Sequence, residues 1–289
     1  MTDKMNNMSV SNSKYNWRAF DSLLKRVVLK GGYNLPDELC DIIMEFLRCK
    51  VCFIDEPNFM WYKKATKLNK LSVLKAIPSW GCEKMPVNQL LHIACESETH
   101  NNVDLVRYLL EKGANMKLKG GTRNDTPLHN ACFYGNVNVV KCLVEEYGAD
   151  LKEKDNDDNI PFHNACDGGN LDVVKYLVEQ GADMEAKDNY SRTLIRSACE
   201  YGHIDIVKYL VEKGFDIEAN DYESDTHLHS ASFGGHIAVV KYLVEQGADI
   251  EARDYEDNTP VDIAYINKNE GLETHVDVAE YFQNKGYAV

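Results

Sequence analysis

Residues 155–187 read DNDDNIPFHNACDGGNLDVVKYLVEQGADMEAK, and this stretch decides the fold. Pro161 is tolerated in the first turn of a helix, and Gly169 is typical of a helix end. The run LDVVKYLV that follows has helical spacing of its apolar residues, and Gly181 closes this second helix. The remaining ADMEAK and the residues beyond it are polar and typical of a loop or hairpin. The stretch therefore predicts a helix–turn–helix unit with a projecting loop.

The same pattern recurs along the chain. An alanine marker runs from Ala94 to Ala264 in steps of 37, 34, 33, 33 and 33 residues. A glycine marker runs from Gly113 to Gly247 in steps of 35, 33, 33 and 33 residues. Two markers with one period are the signature of a solenoid, in which neighbouring units bury a continuous core. We therefore predict an all-α solenoid of six units over residues 88–289, with a short hairpin loop in each unit.

The unit resembles the ankyrin repeat, whose signature is T-P-L-H-x-A in a period of about 33 residues. Matching stretches are TPLHNA from Thr126, THLHSA from Thr226 and GHIAVVKYLVEQG from Gly235. The resemblance covers roughly residues 88–289, about two thirds of the chain. It departs from the family at Arg196, which stands where the family has histidine. The resemblance implies stacked helix pairs and binding of a protein partner.

The chain divides into four predicted segments. LSVLKAIPSWG from Leu71 resembles the second helix of an eroded unit, and Gly81 lies 32 residues before Gly113. The segments are a flexible leader (1–18), a helical segment that resembles an F-box (19–55), a degenerate capping repeat (56–87) and six ankyrin-like units of which the last is a C-terminal cap (88–289).

Histidine and cysteine lie three residues apart in several units, as in His129 with Cys132 and His163 with Cys166. Such a pair shares one helix face, so a metal or nucleophile pair is one interpretation. Zinc ligands lie about 2.0–2.3 Å from the ion, whereas packed helices are about 10 Å apart, so neighbouring pairs cannot share an ion without distortion. The resemblance implies instead that the histidine bonds backbone in the adjacent loop and that the cysteine fills a small buried slot.

Other chemical motifs are weak, and we predict no catalytic residue, no metal and no cofactor. Neither a phosphate-binding loop nor a Gly-x-Ser-x-Gly elbow occurs. Asp155, Asp188, Asp221 and Asp254 share one slot and are predicted to form turns rather than to bind calcium. His275 lies outside the repeated slots.

Charge and composition restrict the class of partner. The net charge is −14, but residues 1–87 carry 14 basic and 9 acidic side chains, whereas residues 88–289 carry 18 and 37. The acidic long half makes nucleic acid an unsuitable ligand. No run of about 18 apolar residues occurs, so we expect no membrane span. Nine cysteines and no secretory signal predict a cytoplasmic or nuclear location, or the host cytoplasm if the protein is viral.

Recognition is expected at outward slots that vary between units, on the long concave face formed by hairpin tips and first helices. Aromatic residues alternate there with carboxylates, which fits a partner with a basic, partly apolar surface. The alternative is that the acids keep the array soluble and the tyrosines reflect composition. The variable slots include Asn164 and Ser230. The predicted partner-binding residues are Asn130, Phe133, Tyr134, Asp157, Tyr190, Glu200, Tyr201, Tyr222, Glu223, Phe233, Tyr255 and Glu256.

The front segment carries a second resemblance. Residues 33–47 read YNLPDELCDIIMEFL and resemble the opening of an F-box, which recruits the adaptor of a cullin-type ubiquitin ligase. A helix that caps the apolar end of the array is the alternative. The possible adaptor-binding residues are Leu35, Pro36, Leu39, Ile42, Ile43 and Phe46. An F-box-like start joined to an ankyrin array resembles host-directed proteins of large DNA viruses and intracellular parasites.

Overall fold

The computed structural model describes residues 86–96, 102–120 and 123–287, together with Thr66 and Leu71. The predicted leader, the segment 19–55 and all six possible adaptor-binding residues lie outside the described residues. The same holds for nearly all of the predicted capping repeat, residues 56–87.

The described residues form twelve α-helices in six helix–turn–helix pairs, which confirms the predicted all-α repeat solenoid. Units 1 to 3 are α1 (Val87–Cys95) with α2 (Val103–Glu111), α3 (Pro127–Phe133) with α4 (Val137–Lys141), and α5 (Pro161–Asp167) with α6 (Leu171–Glu179). Units 4 to 6 are α7 (Leu194–Glu200) with α8 (Ile204–Glu212), α9 (His227–Phe233) with α10 (Ile237–Glu245), and α11 (Pro260–Asn269) with α12 (Thr274–Asn284). None of the helices described here is long and apolar enough to cross a bilayer.

The units stack through like helices. From α3 onward each first helix contacts the first helix of the next unit, and from α2 onward each second helix contacts the next second helix. Small residues make the close approach possible, because Ala131, Ala165, Ala198 and Ala231 are fully buried at the centres of the first helices. Burial of one large apolar side chain contributes roughly 1.5–3 kcal/mol, and each unit provides several. The stack of buried apolar stripes therefore holds the array together.

Two of the first helices, α3 and α9, begin at a reciprocal cap of threonine and histidine. In α3 the backbone N–H of Thr126 donates to Nδ1 of His129 at 3.2 Å, and Thr126 Oγ1 lies 2.8 Å from the same nitrogen. Thr226 and His229 repeat this arrangement at α9. The cap satisfies free polar groups at the N-terminal ends of α3 and α9, so the threonine and histidine of the repeat signature define where these two helices start.

Histidine or asparagine at the start of a second helix ties it to the preceding unit. Nε2 of His203 donates to the carbonyl of Asp167 at 3.0 Å, and Nδ2 of Asn170 donates to the carbonyl of Phe133 at 2.7 Å. Nε2 of His275 donates to the carbonyl of Phe233 at 2.7 Å. His275 therefore occupies the repeated slot, and its assignment outside the common slots was wrong, because the insertion in unit 6 displaces it in sequence but not in space.

Unit 2 contains one residue more than the unit that follows, and a π-helix absorbs it. The last turns of α4 continue as a π-helix over Cys142–Glu146. Val139, Val140 and Leu143 stay fully buried. A wider turn of this kind takes up one extra residue without rotating the apolar stripe away from the core.

Candidate functional site

Main-chain hydrogen bonds align the hairpin tips of successive units. In each case a backbone N–H at one tip donates to a carbonyl at the tip before it, over 2.9–3.2 Å. The donor and acceptor pairs are Asn156 with Arg123, Asn189 with Asp157, Tyr222 with Tyr190, and Tyr255 with Glu223. The exposed tip side chains are thereby held in a fixed order along one surface. We call this the first-helix surface, formed by the hairpin loops and the outward sides of α3, α5, α7, α9 and α11.

An aspartate in the same position of four successive units fixes the geometry of each hairpin tip. The carboxylate of Asp188 accepts the backbone N–H groups of Tyr190 and Arg192, each at 2.9 Å. Asp221 accepts those of Glu223 and Asp225 at 2.9 and 3.1 Å. Asp155 and Asp254 make the equivalent bonds in their own loops. The shared aspartate slot therefore forms turns, as predicted.

None of the twelve predicted partner-binding residues is buried. Eight are exposed, namely Tyr134, Tyr190, Tyr201, Tyr222, Glu223, Phe233, Tyr255 and Glu256. Four are partly buried, namely Asn130, Phe133, Asp157 and Glu200. Tyr222 is 74% exposed and Tyr255 is 67% exposed, so both rings are accessible to a partner.

Two slots that we expected to vary outward point into the stack. Asn164 and Ser230 are both buried. The neighbouring first helix covers each of them, since α5 and α9 each lie between two other first helices. The prediction that these two residues are available to a partner was therefore wrong.

On the first-helix surface, at the junction of units 2 and 3, an arginine packs on an aromatic ring. The guanidinium carbon of Arg123 lies 5.7 Å from the ring centroid of Phe133. Its Nε is 3.7 Å from Asp125, and its Nη1 is 3.7 Å from Asp167. Burial raises the pKa of both carboxyl groups, and the arginine charge opposes this rise. The chain thus fills this acidic and aromatic position with its own cation.

A groove of about 350 Å³ opens on the first-helix surface between units 5 and 6. Its apolar lining includes Phe233, Tyr255 and Ile266, all of which are exposed. Carboxylates of Glu200, Glu223, Asp225, Asp254 and Glu256 also line it. Burial lowers the pKa of His229 in its floor, so that imidazole adds no charge near neutral pH. The groove is therefore acidic and partly apolar.

Arg196 is the arginine that lines this groove, and it replaces the family histidine. Its Nη1 lies 2.8 Å from Glu200, its Nε 3.1 Å from Asp221, and its Nη2 3.8 Å from Asp225. One guanidinium thus faces three carboxylates. Burial and the neighbouring Asp221 raise the pKa of Asp225 to about 6 despite Arg196. Sequence reasoning missed this cluster, although an arginine in a histidine slot was its visible signal.

The histidine and cysteine pairs have structural roles. Nε2 of His129 donates to the carbonyl of Asn159 at 3.1 Å, and Nε2 of His229 to that of Asn258 at 3.2 Å. The expectation that these histidines bond backbone in the adjacent loop is thus confirmed. Burial raises the pKa of the Cys132 and Cys199 thiols, which keeps them protonated and removes the thiolate that nucleophiles and metal ligands require.

Three carboxylates, those of Asp221, Glu223 and Asp225, can bring one oxygen each within 4.8 Å of one another. Asp221 already accepts two backbone N–H groups and lies beside Arg196. Turn formation and the arginine account for the position of this cluster without an ion.

Comparison with known protein families gives matches that lie between residues 64 and 283. A family model described as ankyrin repeats in three copies matches residues 64–155, 91–188 and 147–221. A second, described as ankyrin repeats in many copies, matches residues 228–283. Together the matches span more than half of the chain. No curated protein matches it.

Proposed function

Because this chain belongs to the ankyrin repeat family, we propose that it is a non-catalytic scaffold that binds a protein partner on its concave, first-helix surface. Ankyrin repeats are general protein–protein interaction modules, and proteins built from them are typically non-catalytic. One observation carries the proposal: exposed aromatic side chains at successive hairpin tips are held in order by main-chain hydrogen bonds. Rigid aromatic anchors of this kind are typical of binding hot spots.

The partner that fits this surface is basic and partly apolar. Carboxylates alternate with the aromatic residues, as Glu223 does with Tyr222 and Glu256 with Tyr255. Residues 88–289 carry 37 acidic and 18 basic side chains, so a basic partner is attracted at long range. We place the interaction in the cytoplasm or the nucleus, where reduced cysteines are stable.

Affinity capture from cells tests the proposal. The full chain is compared with a Tyr190→Ala, Tyr222→Ala, Tyr255→Ala triple variant, and captured proteins are quantified by mass spectrometry. We expect the triple variant to lose the specific partner, because truncation of a hot-spot residue costs about 2 kcal/mol or more. The matched control replaces Glu179, Glu212 and Glu245, which are exposed on the second helices, with alanine. Equal capture by the wild type and the tyrosine variant would refute the binding surface.

The F-box resemblance supports a second candidate, a substrate receptor of a cullin-type ubiquitin ligase. In this proposal the array holds a target while Leu35, Pro36 and the apolar residues after them bind the ligase adaptor. Co-purification of the adaptor with the full chain, and its loss in an Ile42→Asp, Phe46→Asp variant, is the expected result. Absence of the adaptor from the wild-type complex excludes this role and leaves the scaffold proposal intact.

A further inference from the structure

The described residues form the same aromatic and acidic arrangement twice on the first-helix surface, with an arginine over the ring in unit 2 and none over the ring in unit 5. In unit 2 the guanidinium of Arg123 lies over Phe133, with the Asp125 carboxylate 3.7 Å from its Nε. A cation over an aromatic face is favourable, and an adjacent carboxylate attracts the same cation. The position is filled within the chain, and Phe133 is partly buried.

Unit 5 repeats this site one hundred positions further along the chain, with the charge reversed at one of its three positions. Phe233 and Asp225 occupy the slots of the phenylalanine and the aspartate, but Glu223 stands in the slot of the arginine. Phe233 is 59% exposed. Thus unit 5 keeps the ring and the carboxylate and has a second carboxylate where unit 2 supplies the cation.

Unit 6 completes a groove around this ring. Tyr255 and Ile266 form its apolar wall, and Glu256 adds a carboxylate to its rim. Among the residues described, every ion pair of the groove involves Arg196, and Glu223 and Glu256 have no basic partner. The volume of about 350 Å³ lies within the range of ligand pockets and accommodates a large side chain.

We propose that the groove between units 5 and 6 binds an arginine side chain on an extended segment of the protein partner. The guanidinium lies over Phe233, as Arg123 lies over Phe133, and pairs with Glu223 and Glu256. A neighbouring apolar residue of the segment contacts Ile266. Arginine fits better than lysine because its planar guanidinium both stacks on a ring and bonds carboxylates at two points. This inference rests on the proposed function and names the chemistry of the partner.

Selection of peptides provides the test. The immobilised full chain selects from a random peptide library displayed on phage, and the best peptide is synthesised for fluorescence anisotropy. We expect arginine next to an apolar residue in the selected peptides, and weaker binding after replacement of that arginine by lysine. Selected peptides without arginine, equal binding of the lysine peptide, or no selected peptide would each overturn the inference.

A charge exchange in the protein localises the site. Glu223→Arg recreates the unit 2 arrangement, so the chain fills its own groove, and the peptide is expected to bind about tenfold more weakly. Glu179→Arg makes the same change of charge at an exposed position on α6 and serves as the control. Circular dichroism is used to check that both variants are folded. An equal loss in both variants would show long-range attraction alone and would overturn the site, while capture dependent on Tyr190, Tyr222 and Tyr255 would still support the scaffold.

Discussion

Asp225 destabilises the fold at a position of the hairpin loop that recurs along the array. Units 3 and 6 have asparagine in this slot, and the amides of Asn159 and Asn258 donate to the turn-forming aspartates at 3.1 and 3.2 Å. Unit 5 has a carboxylate there instead, beside Asp221. Burial and this like charge raise the pKa of Asp225 to about 6. A raised carboxyl pKa means that folding favours the protonated form, so the ionised form destabilises the fold above pH 6.

We therefore expect Asp225→Asn to increase the free energy of unfolding at pH 7.5. The new amide can donate to Asp221, as the asparagines of units 3 and 6 do in their loops. The advantage should shrink as the pH falls through 6 toward 4, because the wild-type carboxyl group then becomes protonated in the folded state. Urea unfolding at several pH values measures this. Glu212→Gln, at an exposed position on α8, is the control and should change little. A pH-independent effect of Asp225→Asn would contradict the explanation.

His227 has the opposite linkage to pH. It is buried, its Nδ1 donates to the carbonyl of Ile217 at 2.9 Å, and its Nε2 lies 2.8 Å from the Thr193 hydroxyl. Burial lowers the pKa of this imidazole to about 4. A lowered histidine pKa means that its contribution to stability is present above pH 6.5 and is lost as the pH falls through 4.

His227→Pro should reduce the acid sensitivity of the fold. Proline stands in this slot in three other units, at Pro127, Pro161 and Pro260, and it suits the first turn of a helix. Between pH 6.5 and 4 the variant is expected to lose less unfolding free energy than the wild type, by up to roughly 3 kcal/mol. The measurement is the slope of unfolding free energy against pH. An unchanged slope would show that another group controls acid unfolding, and His163, whose pKa burial also lowers to about 4, is a second histidine with this property.

Some of these residue roles could be predicted from the sequence and others could not. The histidine and aspartate slots bond to groups in their own or the adjacent loop, so the repeated motif alone indicates their role. The partners of Arg196 include carboxylates on the loop of the next unit, and their distances depend on how units stack. Burial of Asn164 and Ser230 likewise depends on the neighbouring helix, which the pattern within one unit does not contain.

Along the helices, lysine and tyrosine link the second helices of successive units. The ammonium of Lys141 lies 5.5 Å from the Tyr176 ring centroid, and the equivalent distance from Lys208 to Tyr242 is 5.8 Å. Lys175 with Tyr209 and Lys241 with Tyr281 continue the series. Each contact adds roughly 0.5–1 kcal/mol at an exposed position. Unit 2 has Cys142 where the later units have tyrosine, and the π-helix begins at that residue.

The π-helix itself follows from a count of residues. Unit 2 ends in VEEYGAD where unit 3 has VEQGAD, so the extra residue was visible in the sequence as a step of 34 between alanines. The helix type that absorbs it was not visible, because the choice between a wider turn and a longer loop depends on packing of Leu143 and its neighbours. The local geometry is set by keeping the apolar stripe buried.

Deletion of Tyr147 is therefore expected to be tolerated. It turns VEEYGAD into VEEGAD, matches the length of unit 3 and allows a regular α-helix through residues 142–146. We expect an unfolding free energy within about 1 kcal/mol of the wild type, since the apolar stripe stays in register. Deletion of Tyr209 from α8, which contains no extra residue, is the control and should destabilise strongly by rotating Leu210 out of the core. Both are measured by urea unfolding, and similar losses in the two deletions would refute this origin of the π-helix.

Among the described residues, the principal helix contacts lie within one unit or between adjacent units, which gives the array a one-dimensional character. Both the stack and its period could be predicted from two repeated markers, because burial between like helices requires a constant repeat. The groove between units 5 and 6 could not, because it is formed by side chains of adjacent units, such as Phe233 and Ile266, whose separation depends on stacking.

The one-dimensional character predicts which units lose stability after a substitution in the core. Ala198 is fully buried in α7, which packs between α5 and α9, so Ala198→Leu overfills both contacts at a cost of roughly 1–3 kcal/mol. Because coupling passes only between neighbours, hydrogen exchange should lose protection most in units 3 to 5 and least in α2 and α12. Leu105→Ala, at a fully buried position in α2, is the control and should shift the loss of protection toward unit 1. A uniform loss over all units in both variants would show that the array unfolds as one cooperative block and would contradict nearest-neighbour coupling.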